Sequence, residues 1–210
     1  MAETTWMFGT TSDLSKEIIK NLDNPICFGR HNVDYSDPDK FIKEHVVDNT
    51  PVNICVNVFM RTNSIYYNTE IESIKDWKIA FDDMSTNIFF FYRLLTMTTR
   101  FKKPVKVCYI TSTFPNSTIV ENKKNTRYPI PRYENTFLYG SARGTQQFSY
   151  LSRHSEFCKT VGVSPSLLSN ENITEYGKTI AELLYKDNDT QWELVYDLGR
   201  NCWFDFGINR

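Results

Sequence analysis

The stretch TTWMFGTTSDLSKEIIKNL, residues 4–22, carries the pattern that decides the fold. Its first part, Thr4 to Phe8, is an apolar, β-rich run that predicts a strand. Gly9 follows as a turn residue, and Asp13 to Leu22 has apolar residues at helical spacing. The chain therefore opens with a strand, a glycine turn and a helix, which together form the first half of a βαβ unit.

The same alternation continues to the end of the chain. The predicted strands are Thr4–Phe8, Pro25–Phe28, Val52–Phe59, Val105–Thr111, Thr160–Val163 and Trp192–Tyr196, and the predicted helices are Asp13–Leu22, Pro38–Asp48, Ile74–Phe101, Phe137–Phe157 and Ile173–Tyr185. This order predicts an α/β fold of the Rossmann type, a doubly wound, mainly parallel sheet with helices on both faces. At 210 residues the chain fits a single domain, residues 1–210.

Charge and hydropathy exclude several classes of function. A formal net charge of -1 argues against nucleic acid or an anionic membrane as the main partner. The longest apolar run, Ile88 to Tyr92, is far too short to span a bilayer, and the first residues, MAETTW, lack the regions of a signal peptide. We therefore expect a cytoplasmic protein whose partners are small molecules or other proteins.

The cysteines and histidines do not form the pattern of a metal site. The five cysteines have no CxxC spacing, which favours buried free thiols. His31, His45 and His154 are scattered and lack the company of further ligands. We predict no metal.

The glycine turn suits the diphosphate of a dinucleotide. Gly9, Thr11, Ser12, Asp13 and Leu14 lie between the first strand and its helix, where backbone N–H groups and the helix dipole favour an anion. Such turns usually carry three glycines, and only the first is present here. A simple helix cap at Ser12 or Asp13 is therefore the alternative.

The second predicted strand ends beside Arg30. This position lies about 20 residues after Gly9, where an acidic residue would accept the ribose hydroxyls of NAD. Arginine pairs instead with a 2′-phosphate, so the sequence favours NADP over NAD. A solvated cation at the strand end is the alternative, and Asp34 lies close enough in sequence to complicate either interpretation.

A phenol and a permanent cation lie one helical turn apart at Tyr139 and Arg143. The spacing Tyr-x-x-x-Arg occurs three times in the chain, at Tyr128, Tyr139 and Tyr196. Two prolines exclude a helix around Tyr128, and Tyr196 lies in a strand-like run. Only Tyr139 has helical periodicity around it, so its side chain and that of Arg143 share one face.

Taken in order, these segments resemble the short-chain dehydrogenase/reductase family over nearly the whole chain. Residues 9–15, GTTSDLS, resemble its glycine-rich turn in the variant whose middle glycine is Asp. Residues 33–37 resemble the segment after the third strand, whose first acid, here Asp34, typically contacts the adenine. Residues 56–60 resemble the Asn-Asn-Ala-Gly motif through Asn57 alone.

The resemblance also implies a catalytic tetrad. Asn87 matches the active-site Asn, Ser112 matches the Ser at a strand end, and Tyr139 and Arg143 match the Tyr-x-x-x-Lys pair with Arg in place of Lys. Pro165 matches the loop beside the nicotinamide. The implied reaction is hydride transfer between NADP, or less favourably NAD, and a small carbonyl or alcohol, with Tyr139 as acid/base.

Two other interpretations stay open. The missing glycines, the altered Asn-Asn-Ala-Gly motif and an arginine that cannot relay a proton fit a catalytically inactive relative that binds a nucleotide or acts in assembly. The long interval from Ser112 to Tyr139 fits a sugar-nucleotide enzyme, although the chain is short for the extra substrate domain.

Three regions bear on recognition and assembly. The segment Thr113–Thr136 has the length of a lid or binding loop. We expect the tail NCWFDFGINR, residues 201–210, to fold back onto its own core or onto a twin subunit. The aromatic helix Ile74–Phe101 belongs to a dimerising bundle in the resembling family, which implies a homodimer or homotetramer.

Overall fold

The computed structural model describes residues 4–46, 53–57, 82, 85–96, 105–111, 158–165, 169–186 and 194–205. The strands are β1 Thr5–Phe8, β2 Pro25–Phe28, β3 Asn53–Val56, β4 Val105–Ile110, β5 Cys158–Ser164, β6 Leu194–Asp197 and β7 Cys202–Asp205. The helices are α1 Asp13–Lys20, α2 Pro38–Phe41 with a turn of π-helix at Ile42–Val46, α3 at residues 85–96 and α4 Ile173–Tyr185.

The described strands form one sheet in the order β2-β1-β3-β4-β5-β6-β7. Neighbouring strands from β2 to β6 are parallel, and β7 is antiparallel to β6. The chain leaves β1 for β2 on one side and then returns to place β3 on the other side. The predicted doubly wound, mainly parallel sheet is confirmed, and its topological switch point lies between the carboxyl ends of β1 and β3.

Strand β1 is buried on both of its faces, and its side chains alternate between two cores. Trp6 and Phe8 pack with the aromatic residues of α2 and α3, whereas Met7 packs with the apolar residues of α1 and α4. Helices therefore cover both faces of the sheet. A register shift of one residue would exchange the two sets of side chains, so the two cores together define the register of β1.

Helix α3 carries aromatic side chains on opposite sides. Phe90 and Phe91 are buried against the sheet, and the ring of Phe91 lies 5.1 Å from that of Phe8 in edge geometry. Phe89 and Tyr92 are 55% and 39% exposed. One pair of aromatics thus faces the sheet, and the other pair is open to solvent or to a partner.

The two helices on the opposite face come into backbone contact at Gly177. A Cβ atom at this position of α4 would lie 2.6 Å from Glu17 Cβ and 2.8 Å from the Glu17 carbonyl carbon of α1. Real Cβ atoms do not approach other atoms so closely, so a side chain here would force the helices apart. Gly177 thus sets the spacing between α1 and α4.

The tail returns to the sheet as a strand, which sequence reasoning did not identify. Asn201 takes a positive φ of 51° in the turn after β6, and Asp197 Oδ1 accepts a bond from Arg200 N at 3.0 Å. Both features close a tight turn, so Cys202–Asp205 pairs antiparallel with β6. We expected the tail to fold back onto its own core or onto a twin subunit, and these four residues return to the edge of their own sheet.

The segment 33–37, which resembles the one after the family's third strand, lies between β2 and α2 in this structure. Residues 29–37 connect β2 to α2 through turns alone. Asn32 Oδ1 accepts from Gly29 N at 2.7 Å, and Asp34 Oδ1 accepts from Ser36 N at 2.9 Å. These local bonds hold the backbone in turns, in agreement with the predicted strands, none of which lies between Phe28 and Val52.

All five cysteines are free, as predicted, and three of them are buried. Cys55 and Cys108 are partners in register on β3 and β4 and are both fully buried. The hydrogen bond between the two thiols, together with burial, raises the pKa of Cys108 well above its usual value. Within the described ranges, no helix has the length and hydropathy of a membrane span, and no cluster of side chains suits a metal ion.

Candidate functional site

The predicted strand, glycine turn and helix are confirmed at the switch point. Gly9 has a φ of 81°, which other residues rarely adopt, and its N–H donates to Phe28 O at 2.8 Å. Ser12 caps α1, because its Oγ accepts from Ser15 N at 3.1 Å. Thr11 is exposed in this turn, so its hydroxyl is accessible to a ligand above the helix N-terminus.

Leu14 and Asp13 differ in what they present to a ligand. Leu14 is buried in the core with α4, so its side chain is turned away from the turn. Asp13 is exposed, and its Oδ1 accepts from Lys16 Nζ at 2.8 Å. This bond and the charge of Lys16 lower the pKa of Asp13. The carboxylate at the start of α1 is thus neutralised locally by its own helix.

A buried polar cluster lies directly beneath the turn, at the place of the missing third glycine. Asn57 N donates to Phe8 O at 2.9 Å, which fixes the end of β3 against β1. Asn57 Nδ2 donates to Ser15 Oγ at 2.8 Å and to Ser12 Oγ at 3.2 Å. The side chain of Ser15 is completely buried. A hydroxyl therefore occupies the space between helix and strand that a glycine usually leaves open.

The end of β2 lies next to the glycine turn. Gly29 is buried there, and a Cβ on it would lie 3.0 Å from Thr10 Oγ1 and 3.1 Å from His31 Nδ1. Two polar side chains thus flank a bare stretch of backbone. Arg30 and His31 are exposed beside it, so this corner of the molecule presents a guanidinium and an imidazole to solvent.

The charge of Arg30 also reaches Tyr35, whereas Asp34 is engaged in its own turn. Burial against Phe90 raises the pKa of Tyr35, and the nearby Arg30 charge opposes that shift. Asp34 Oδ1 accepts from both Ser36 N and Ser36 Oγ, and these bonds lower the pKa of Asp34. The exposed carboxylate therefore directs one oxygen back to its own backbone.

Three buried polar side chains lie in register at the carboxyl ends of the next strands. Thr111 N donates to Val163 O at 2.8 Å, which aligns Thr111 with Ser164, and Ser164 is the partner of Asp197. Each of the three is about 1% exposed. The Oγ1 of Thr111 has no hydrogen-bond partner among the described residues. Sequence reasoning missed Ser164 and Asp197, although a polar residue at the end of each apolar strand was the available signal.

The structure describes one member of the predicted tetrad. Asn87 is buried in α3, on the side of the helix that also carries Phe90 and Phe91. Thr111 directly precedes Ser112 in the chain, but Ser112, Tyr139 and Arg143 lie outside the described residues, as do the predicted helix 137–157 and the loop 113–136. The meeting of the four side chains stays a prediction. Pro165 follows β5 directly and is partly exposed.

Comparison with known proteins identifies the fold. No family model matches the chain, and no curated protein matches its sequence. A metagenomic short-chain oxidoreductase in complex with NADP is 11% identical, with a TM-score of 0.62, and the match covers 90% of this chain and 95% of that one. A short-chain dehydrogenase/reductase family oxidoreductase from Brucella ovis, with a partially ordered NAD, is 11% identical, with a TM-score of 0.58 and coverages of 89% and 94%.

A third match is dTDP-4-dehydrorhamnose reductase from Bacillus anthracis in complex with NADP. It is 11% identical with a TM-score of 0.60, and the match covers 98% of this chain and 78% of that one. The chain therefore has the fold of the short-chain dehydrogenase/reductases, as the sequence predicts. At these identities the shared property is the fold, so function has to be argued from the site.

Proposed function

We propose that this protein is an oxidoreductase that transfers a hydride between NADP and a small carbonyl or alcohol. The observation that carries the proposal is the turn after β1. Gly9, at positive φ, leads into the capped N-terminus of α1 at the switch point of the sheet. Dinucleotides bind at this place in doubly wound sheets, and solved proteins of the same fold hold NADP or NAD.

The turn would hold the diphosphate of the cofactor. The first N–H groups of α1 have no partners within the helix and point outward together with the positive end of its dipole. The exposed hydroxyls of Thr11 and Ser12 add donors of the kind that phosphate oxygens accept. The ion pair with Lys16 reduces the repulsion that the Asp13 carboxylate would otherwise exert on the ligand.

The end of β2 supports NADP over NAD. The exposed Arg30 and His31 offer donors to a 2′-phosphate, and the recess over Gly29 is bordered by Thr10 Oγ1 and His31 Nδ1. The nearest acid, Asp34, already accepts two bonds from Ser36. The positive charge of Arg30 at this corner favours an anionic group such as a 2′-phosphate.

The proposed chemistry assigns roles to the tetrad. Nicotinamide, when bound, supplies or accepts the hydride. Tyr139 gives its phenolic proton to the oxygen of the reduced carbonyl, and Ser112 donates a hydrogen bond to that same oxygen. The permanent charge of Arg143 favours the phenolate of Tyr139. Asn87 would hold a water in the buried region behind them.

Replacement of Arg30 tests the cofactor assignment. For Arg30→Ala we expect NADPH affinity to fall by about 10-fold, because one charge-assisted bond is lost, while NADH affinity stays within about twofold. Titration calorimetry with both nucleotides gives the two values, and Lys20→Ala, which removes an exposed cation at the far end of α1, is the matched control. If the unmodified protein binds neither nucleotide, the proposed function is wrong.

A catalytically inactive, nucleotide-binding relative is the second candidate. The buried Ser15 in place of a glycine favours it, as does an arginine that cannot relay protons at position 143. Tyr139→Phe separates the two. If the protein is an enzyme, this variant should lose carbonyl reduction by about 100-fold or more while still binding NADPH. Equal rates for both proteins would instead favour the binding protein.

We also propose that α3 is the contact surface of a homodimer or homotetramer. Phe89 and Tyr92 lie one turn apart on its exposed side, and an interface would remove both rings from water. Light scattering of the purified protein and of Phe89→Glu measures the mass. A monomer before the substitution would contradict the proposal.

A further inference from the structure

The hydroxyls of Ser12 and Ser15 and the amide of Asn57 form one cluster beneath the glycine turn. The two hydroxyl oxygens lie 2.9 Å apart, and Asn57 Nδ2 lies within hydrogen-bond distance of both. Ser15 N also donates to Ser12 Oγ, at 3.1 Å. The cluster therefore joins the start of α1 to the end of β3, across the switch point of the sheet.

Burial decides which hydroxyl donates to the other. Ser15 is completely buried, and among the described residues the acceptor within reach of its hydroxyl proton is Ser12 Oγ. If Ser12 donated to Ser15, the Ser15 proton would be buried without an acceptor, which is strongly unfavourable. Ser12 is exposed, so its own proton meets solvent or a ligand instead. The favoured arrangement has Ser15 donating to Ser12.

This arrangement saturates Ser12 as an acceptor. A hydroxyl oxygen has two lone pairs. In Ser12 Oγ they are filled by the Ser15 hydroxyl at 2.9 Å and the Ser15 N–H at 3.1 Å, and the side-chain nitrogen of Asn57 lies nearby at 3.2 Å. Its remaining capacity is its own O–H, directed to the exposed side of the turn. Towards a ligand, Ser12 is thus a donor only.

We infer that Ser15 and Asn57 are positioning residues that hold the Ser12 hydroxyl as a dedicated donor to the diphosphate of the bound dinucleotide. This inference rests on the proposed nucleotide site. Ser15, which replaces the usual glycine, donates the hydrogen bond that orients Ser12. An anionic diphosphate needs donors alone, so an acceptor-saturated Ser12 suits it.

Asn57→Asp tests the inference at nearly constant size. The carboxylate is an acceptor only, so both hydroxyls would donate inward to it and Ser12 would lose its outward proton. We expect NADPH to bind about 10- to 100-fold more weakly, while adenosine 2′-monophosphate, which lacks the diphosphate, changes by about twofold or less. Asn21→Asp, the same change at the other end of α1, is the control for charge and should leave both affinities unchanged.

Two further variants keep the inference falsifiable if Asn57→Asp does not fold. Ser12→Asp keeps a good helix cap but removes the donor, so it should retain thermal stability and lose NADPH binding.

Ser15→Gly restores the usual glycine and should weaken NADPH binding, whereas tighter binding would overturn the inference. Equal losses for NADPH and adenosine 2′-monophosphate would indicate a merely structural role and also overturn it. If the unmodified protein binds both adenosine 2′-monophosphate and NADPH, and the variants bind NADPH with the same affinity, the proposed function stands and this inference fails.

Discussion

Two strand-to-helix junctions lie at the carboxyl edge of the sheet and are built differently. Residues 9–12 lead from β1 into α1, where the Ser12 side chain caps the helix and a residue from another strand, Asn57, bonds to the cap. At the start of α4, Asn172 makes no capping bond to its helix, and its Oδ1 accepts from Ser169 N in the turn before it. The cap of the first junction is thus bonded to a residue 45 positions away, whereas Asn172 accepts a bond from the turn before its helix.

The difference between the two junctions bears on ligand binding. A junction fixed by a neighbouring strand keeps its donors in place when a ligand arrives, which favours binding without rearrangement. We therefore expect substitutions at the β1–α1 junction to affect both stability and nucleotide binding, and those at the start of α4 to affect stability less.

The largest effect should come where the two helices touch. Gly177→Ala places a Cβ 2.6 Å from Glu17 Cβ and close to the backbone of α1, so the helices must separate. We expect the free energy of unfolding to fall by about 1–3 kcal/mol, the usual range for overpacking. Urea denaturation measures this loss. Lys178→Ala, on the exposed side of the same helix, is the control, and an equal effect in both variants would contradict the proposed close contact.

Removal of the two residues that begin the helices compares the junctions directly. Ser12→Ala deletes a capping bond and its contacts with Asn57, so it should cost about 1–2 kcal/mol. Asn172→Ala deletes no capping bond and should cost about half as much or less. Thermal or urea denaturation of both variants gives the ratio. If Asn172→Ala were the more damaging change, the comparison would be reversed.

The smallest effect concerns the charge pair in the first turn of α1. Lys16 lowers the pKa of Asp13 below its ordinary value of 3.8, so the pair stabilises the fold above that pH and the contribution is lost as the pH falls through the lowered pKa. Lys16→Met should therefore lower the melting temperature slightly at pH 7, and the difference should shrink as the pH falls below 3.8. A difference that persists in acid would show that Lys16 acts by packing and not by charge.

Much of the fold was predictable because the parallel strands are short, mainly apolar runs that alternate with segments of helical spacing. β7 was not, since its aromatic residues fit a strand or a packed tail equally well until the turn at Asn201 is known. No strand was predicted between β2 and α2, and the side chains of Asn32 and Asp34 hold this segment in turns.

The position of the candidate site was predictable from the sequence, whereas the hydrogen bonds that hold its side chains were not. Gly9 and Ser12 followed from the local pattern of strand, turn and helix. The role of Ser15 depends on Asn57, which is 42 residues away in the chain. From the sequence alone, a serine in place of the glycine therefore indicated an inactive relative. Long-range partners of this kind carry no signal in the local sequence. The tetrad stays a prediction, because three of its members lie outside the described residues.

The reactivity of the free thiols can report when the strands of the sheet separate. Cys202 is exposed on β7, whereas Cys55 and Cys108 lie side by side in the centre of the sheet, and the raised pKa of Cys108 leaves little thiolate to react. An alkylating reagent should therefore label Cys202 at once and Cys108 only when β3 and β4 separate. The rate of the slow labelling step then measures how often the centre of the sheet comes apart under native conditions, and a bound nucleotide that joins the ends of β1 and β3 should slow it.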